Sequence, residues 1–216
     1  IVFKDFGPNG KPMPKKSIIP AEKTSGIMPP SQAKSYENCS NRIQSKQMTM
    51  LAGLHHFRTI SRSPTNPDGW IANTELAIKE SARLSQAFEI LDLINGKQEK
   101  VLIFVESRAV QPQLAIIVKE RYGMKMAPLI VNGDIKGEAR QKAVDQFQDG
   151  DTGFDAMIIS PKAGGVGLTL TAANHVLHLE RWWNPAVEDQ CNDRTYRIGQ
   201  DKDVTIYTPV ARHPEF

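Results

Sequence analysis

The sequence KVLIFVES, residues 100–107, contains five consecutive apolar residues, Val101–Val105, between polar ends. A continuous apolar run of this length is typical of a strand that is buried on both faces of a sheet. Helical patterns alternate with further short apolar segments, and the predicted strands are 101–105, 127–131, 156–159, 175–179 and 204–207. This alternation predicts an α/β fold, with a parallel sheet and helices on both of its faces.

The residues before this region have a different composition. Six of the fourteen prolines lie between Pro8 and Pro30, which excludes a continuous helix or a central strand there. We therefore predict an extended connector over residues 1–30, a helical segment over 31–96 with a loop at 63–70, and the sheet domain over 97–216. One helix of the helical segment has four apolar residues on a shared face: Met50, Leu51, Leu54 and Phe57.

Composition and charge restrict the possible partners. The longest apolar runs are far too short to span a bilayer, so no membrane partner is expected, and the first residues show no signal-peptide pattern. Two lone cysteines favour a reducing compartment. Residues 1–62 hold ten Lys and Arg against three Asp and Glu, a net charge of +7, whereas the remainder has a net charge of −4. A basic front half suits a polyanion, and a solvated linker is the alternative.

Two unusual segments follow predicted strands, at the edge where ligands bind on parallel sheets. The first is SPKAGGVGLT, residues 160–169, in which Gly164, Gly165 and Gly167 permit positive φ and close approach to a ligand. Such a loop can cradle a phosphate, although a plain tight turn fits as well. It is not a Walker A loop, because no Lys-Ser or Lys-Thr follows its glycines.

The second segment is RWWNPAVEDQCNDRTYRIGQ, residues 181–200. Asn184 and Pro185 are typical of a helix start. If that helix continues, Gln190, Arg194 and Arg197 are spaced i, i+4, i+7 and share one face. Two guanidinium groups suit the terminal phosphate of a triphosphate, and an exposed helix with internal ion pairs is the alternative.

Residues 160–200 together resemble the fifth and sixth helicase motifs of Swi/Snf-type ATPases. The likeness extends upstream through EKVLIFVES and NGDIKGEARQKAVDQF and covers about residues 17–212. It implies a RecA-like lobe that clamps ATP and Mg²⁺ together with a first lobe of the same parent chain. In that arrangement Arg194 and Arg197 are arginine fingers and Gln190 supports the terminal phosphate or the attacking water.

The resemblance also implies roles for the loops. Gly165, Gly167 and Thr169 would lie on the nucleotide side, although Thr169 stands where the family has Asn. The residues implied to contact double-stranded DNA are Ser107, Ser160, Lys162 and Trp183, with a turn anchor as the alternative for Trp183. Contacts to phosphates position a motor without reading bases, so the expected partner is DNA of any sequence, and a DNA-bound protein is a further possible substrate. No metal site is expected in this chain, because neither its cysteines nor its histidines have the spacing of metal ligands.

The function implied is that of the second motor lobe of a DNA-dependent ATPase, a hydrolase acting on ATP. This lobe alone is expected to be inactive, because the phosphate loop belongs to the first lobe. A non-catalytic binding module and an RNA-directed helicase lobe are the alternatives. The expected location is the bacterial cytoplasm, or the nucleus if the source is eukaryotic.

Overall fold

The computed structural model describes residues 12–62, 73–150, 153–164, 167–182 and 184–215. The predictions for Gly165, Trp183 and the loop at 63–70 fall outside these ranges. The described helices are α1 (Pro30–Gln44), α2 (Met50–Ile60), α3 (Thr74–Lys79), α4 (Ala82–Gly96), α5 (Val110–Tyr122), α6 (Gly137–Asp149), α7 (Pro161–Gly164) and α8 (Pro185–Asn192). The strands are β1 (Lys16–Ile18), β2 (Ser25–Ile27), β3 (Lys100–Phe104), β4 (Leu129–Val131), β5 (Asp155–Ile159), β6 (His175–His178), β7 (Val204–Tyr207) and β8 (Val210–Arg212).

Six of the strands form one parallel sheet in the order β1-β7-β6-β3-β5-β4. The predicted parallel α/β fold is therefore confirmed, and each of the five predicted strands overlaps an observed one. From β3 the chain passes to β4 at one edge of the sheet and back to β5 beside β3, and it then reverses to the other side of β3, where it forms β6 and β7. This reversal lies beside β3, where the loops after neighbouring strands can diverge and leave space for a ligand.

The central strands are apolar because they are covered on both faces. Leu102, Phe104, Met157 and Val176 are all buried in one core cluster, together with Phe147 from α6. Full burial of side chains of this size stabilises the fold by about 1.5–3 kcal/mol each. The sheet is therefore a rigid base for the loops at its ends.

The sixth strand, β1, comes from the proline-rich stretch that the sequence predicts as a connector. It pairs in parallel with β7 at the edge of the sheet, with Lys16 opposite Val204. An edge position agrees with the prolines, because only one side of the strand needs to donate to a ladder. The sequence did not predict β1, since Lys16, Ser17 and Ile18 form no apolar run.

The chain divides into two compact units, one made of residues 1–20 with 91–208 and the other of residues 21–90 with 209–216. The sheet described above belongs to the first unit. The second contains α1 to α3, most of α4, and the β2–β8 pair, with Met28, Ala33 and Ala82 in its small core. The buried Gln32 holds this unit together, since its Nε2 donates to the Ile60 carbonyl at 2.8 Å and its Oε1 accepts from the Ala82 amide at 3.0 Å.

The helix predicted around residues 50–57 is present as α2, but its predicted apolar face is only partly buried. Phe57 stacks on Tyr36 with 4.3 Å between ring centroids, whereas Met50 is 63% exposed and Leu51 is 79% exposed. Periodicity predicted the helix correctly and did not predict which apolar residues are covered. Within the described ranges, no helix has the length and hydrophobicity to cross a membrane.

Candidate functional site

The loops that follow β3 and β5 lie next to each other at the carboxyl edge of the sheet. Phe104 and Ile159 are register partners, and the Val105 amide donates to the Ile159 carbonyl at 3.0 Å. Ser107 follows β3, and its carbonyl accepts the amides at the start of α5. Ser160 follows β5 directly, and its amide donates to the Val131 carbonyl at 2.9 Å. The two serines predicted to contact DNA therefore lie beyond the ends of adjacent strands.

Ser160 and Lys162 differ in how open they are to a ligand. Ser160 is only 9% exposed, and its carbonyl accepts the Ala163 amide at 2.9 Å, which fixes the start of α7. Lys162 is exposed on α7, with its ammonium 5.9 Å from the centroid of the Trp182 ring. A cation held over an aromatic face at the solvent boundary keeps its charge accessible. Lys162 is therefore the better placed of the two for a phosphate.

The part of the glycine-rich loop that the structure describes is open. Gly167 has φ of +42° and is exposed, and Thr169 is also exposed. A Cβ at Gly167 would meet nothing within 4 Å, so the glycine is favoured by its backbone conformation rather than by crowding. The positive φ that the sequence predicted for the glycines of this loop is thus found at Gly167.

The second segment departs from its predicted helix. Helix α8 begins as expected, with the Asn184 side chain accepting from the Ala186 amide and Pro185 in the first turn, but it ends at Asn192. Gln190 lies on α8 and is exposed, whereas Arg194 and Arg197 lie in the turns beyond it. The prediction of one helical face carrying all three residues is therefore wrong.

The cause is a long-range hydrogen bond. The Arg194 carbonyl accepts the Leu170 amide at 2.9 Å, so it is recruited by the neighbouring loop instead of by the next turn of α8. The chain turns tightly here, with the Thr195 and Tyr196 amides both donating to the Asn192 carbonyl. We call residues 193–197 the arginine turn.

The arginine turn brings the Arg197 guanidinium beside the glycine-rich loop, and the backbone of Arg194 is bonded to the residue after that loop. Arg197 is exposed, and its Nη1 lies 3.4 Å from the Gly167 carbonyl, which is a weak hydrogen bond that a ligand can replace. Arg194 is half-buried, and among the described residues its Nε is buried with no hydrogen-bond partner. A buried guanidinium donor without an acceptor is costly, and an anion bound at this edge would satisfy it.

Buried polar side chains at the end of α8 and on β6 hold the arginine turn in place. The buried Asn192, the last residue of α8, accepts from His178 Nε2 at 2.8 Å. Burial lowers the pKa of His178, although its hydrogen bond to Asn192 opposes the shift, so the ring is neutral near pH 7. Cys191 lies in the core cluster, and burial raises the pKa of its thiol to about 12. A thiol that stays protonated is a spectator and not a nucleophile, as the sequence predicts.

Gln200 joins two loops beneath the site, the loop before β6 and the connection from α8 to β7 that contains the arginine turn and Gln200 itself. Its Nε2 donates to the carbonyls of Ala173 at 2.8 Å and of Thr171 and Thr195 at 3.1 Å each. Its Oε1 accepts the next two backbone amides of the chain. Gln200 is only 6% exposed, so these groups depend on it rather than on water. Gln200 belongs to no helical or strand periodicity in the sequence. The sequence marks it only as the last residue of the segment that resembles the sixth helicase motif.

The two histidines of β6 do not form a site together. His175 Nε2 lies 2.6 Å from a Glu99 carboxylate oxygen, whereas His178 is bonded to Asn192. Burial lowers the pKa of His175, and the hydrogen bond to Glu99 opposes this shift. The prediction that these histidines do not chelate one metal is consistent with their separate partners.

Residues 83–199 match the helicase conserved C-terminal domain. The chain belongs to this family. It is 37% identical to the Zorya protein ZorD of Escherichia coli over 82% of its length, and 38% identical to the putative ATP-dependent helicase/translocase YwqA of Bacillus subtilis over 64%. The chain spans only 16% of ZorD and 14% of YwqA.

A solved structure of similar fold is the Sulfolobus solfataricus SWI2/SNF2 ATPase core in complex with double-stranded DNA. It superposes with a TM-score of 0.69 at 23% identity, covering 94% of this chain and 42% of that one. The predicted RecA-like fold, of the kind found in Swi/Snf-type ATPases, is therefore confirmed.

Proposed function

We propose that this chain is the second motor lobe of an ATP-dependent translocase that moves on double-stranded DNA. The observation that carries the proposal is the position of Arg197 beside Gly167, with Arg194 in the same turn and its buried Nε lacking an acceptor among the described residues. Two of the proteins described above support it: YwqA is named as a putative ATP-dependent translocase, and the Sulfolobus core was solved with duplex DNA.

On the nucleotide side, this lobe contributes positive charge and orientation. Arg194 and Arg197 would face the terminal phosphate of ATP when the two lobes close, and they would stabilise charge on the transferring phosphoryl group. Gln190, exposed on the neighbouring α8, would approach the same phosphate or the attacking water. Gly167 and Thr169 would border the nucleotide, and Mg²⁺ would be held mainly by the first lobe.

On the DNA side, the loops after β3 and β5 would contact the phosphate backbone through Ser107, Ser160 and Lys162. Lys162 is expected to contribute most, because its exposed ammonium is a charge and Ser160 is nearly covered. Phosphate contacts are indifferent to base sequence and release condensed counterions. Binding should therefore be weak, general and sensitive to salt.

The first prediction concerns how DNA affinity depends on salt concentration. Each phosphate that is neutralised contributes a slope of about −0.9 in log K against log salt on duplex DNA. Lys162→Ala should make the slope shallower by about that amount, and titrations of a fluorescent duplex at several salt concentrations measure it. Lys119→Ala is the matched control, since Lys119 is exposed in the last turn of α5, at the end of that helix away from Ser107. Affinity that is flat with salt, or that favours one base sequence or duplex RNA, would contradict the proposal.

A second prediction concerns hydrolysis. This chain alone should not turn over ATP, with or without DNA, because the residues that cradle the phosphates belong to the first lobe. Steady-state phosphate release is the measurement, and the Arg194→Ala variant prepared in parallel is the control for contaminating activity. Turnover by the wild-type chain clearly above that of the variant would show that this lobe has a complete site of its own.

A further inference from the structure

Strand β1 ties the proline-rich segment to the edge of the sheet next to the arginine turn. Beyond the register with β7, the Lys15 carbonyl accepts the Val204 amide at 2.8 Å and the Ile19 amide donates to the Ile206 carbonyl at 2.9 Å. The Lys15 amide also donates to Asp203 Oδ1 at 2.7 Å. The backbone of this segment is thus fixed at both ends of a three-residue strand.

From this strand the side chain of Lys16 reaches the arginine turn. Its Nζ lies 3.3 Å from Asp193 Oδ1 and 5.5 Å from the centroid of the Tyr196 ring. Asp193 directly precedes Arg194, and Tyr196 directly precedes Arg197. One ammonium group therefore contacts both ends of the segment that carries the two guanidinium groups.

The position of these contacts matters more than their strength. Lys16 is 26% exposed and Asp193 is 63% exposed, and an ion pair of this kind contributes little to global stability. The turn itself is short, and among the described residues the Arg197 guanidinium has only the weak hydrogen bond to the Gly167 carbonyl. A small added restraint can therefore change how often the two arginines are correctly oriented without changing whether the domain folds.

We propose that Lys16 is a positioning residue for Arg194 and Arg197, and that β1 transmits the state of the connector to the arginine turn. The inference rests on the proposed function, in which residues 1–30 follow the first lobe. When β1 is paired with β7, Lys16 holds the turn for reaction with ATP. When a movement of the first lobe pulls β1 from the edge, the turn loses this restraint and hydrolysis slows.

The test uses the two-lobe parent protein and the substitution Lys16→Met, which keeps most of the side-chain length and removes the charge. Losing one exposed ion pair and one cation–π contact should lower kcat of the DNA-stimulated ATPase by about three- to tenfold. The KM for ATP, the DNA affinity and the melting temperature should stay as in the wild type. Lys16→Arg should restore kcat, because a guanidinium group can pair with Asp193 and stack on Tyr196.

Two controls make the result specific. Lys15→Met removes the same charge from the exposed neighbouring residue of the same segment and should leave kcat unchanged. Asp193→Asn should lower kcat by less than Lys16→Met, and the double variant should be no slower than Lys16→Met alone, since both changes remove the same ion pair.

The outcomes separate this inference from the proposed function. If Arg197→Ala lowers kcat and Lys16→Met does not, the positioning role is wrong and the motor-lobe proposal stands. If Arg197→Ala also has no effect, the motor-lobe proposal itself fails. If Lys16→Met lowers the melting temperature as much as it lowers activity and Lys16→Arg restores neither, Lys16 has only a structural role and the inference is overturned.

Discussion

Arg197→Ala in the two-lobe parent protein is expected to lower the maximal DNA-stimulated rate of ATP hydrolysis by about 10²-fold or more. The physical reason is that Arg197 is exposed beside Gly167 and would meet the phosphate only in the closed, reacting arrangement. A contact made mainly in the transition state changes kcat, whereas substrate binding and DNA affinity change little.

The same substitution should leave the fold intact. Exposed side chains away from the core usually change stability within about ±0.5 kcal/mol, so the melting temperature should stay near that of the wild type. Arg197→Lys should be almost as slow as Arg197→Ala, because an ammonium is a point charge and cannot present two parallel donors to one phosphate. The matched control is Arg42→Ala, which removes an exposed arginine from the last turn of α1.

Measurements of melting temperature, DNA affinity and ATPase rate on one set of variants decide whether Arg197 acts in catalysis or in folding. Hydrolysis by Arg197→Ala at the rate of Arg42→Ala would eliminate the arginine-finger role and leave Arg197 as an ordinary surface residue. Melting far below the wild type would instead assign Arg197 to the fold.

The sheet could be predicted from the sequence because its strands are buried on both faces. Val101–Val105 and Ala156–Ile159 are apolar without interruption, which is typical of strands covered on both faces. The three-residue strands β1, β2 and β8 carry no such signal, since none of their residues is fully buried and the last residue of each is exposed. Their pairing depends on chain segments far away in sequence, which local pattern does not contain.

Motif spacing identified Arg194 and Arg197 as candidate site residues but assigned them to a continuing helix, whereas α8 ends at Asn192. Asn192, Asp193 and Thr195 are weak helix formers, and the Arg194 carbonyl accepts the Leu170 amide instead of an amide from a further turn of α8. The helical prediction therefore failed where helix propensity is low and a tertiary hydrogen bond competes with the helix, at the residues that would face ATP in the proposed function.

Ile198, which lies beyond the end of α8, also departs from the predicted helical pattern. Ile198 fits the apolar side of an extended helix with Val187 and Cys191, yet it is 65% exposed because the chain has already turned. Cys191 is in the core and Val187 packs against it, since both lie within α8 as it is observed. The helical pattern of buried residues therefore ends with α8 at Asn192.

The second large effect is expected at Gln200, and it is an effect on stability. Gln200→Ala should lower the free energy of unfolding by about 3 kcal/mol, because three carbonyls beneath the site lose their shared donor and the deepest of them cannot reach water. Gln200→Glu keeps Oε1 as acceptor for the Asp201 and Lys202 amides and removes the Nε2 donor. It should be at least as destabilising, since it also buries a carboxylate.

Urea unfolding of the chain measures both variants, with Gln146→Ala on the exposed side of α6 as the control. The control should change stability by no more than about 0.5 kcal/mol. The loops joined by Gln200 carry Thr171, Ala173 and the Thr195 of the arginine turn, so loosening them should also lower ATP hydrolysis in the parent protein. Here the loss of rate should follow the loss of stability and should diminish at low temperature or with added osmolyte, whereas the Arg197→Ala defect should persist under both conditions. If Gln200→Ala unfolds at the urea concentration of the control, the three carbonyls have other partners and the loops are held by something else.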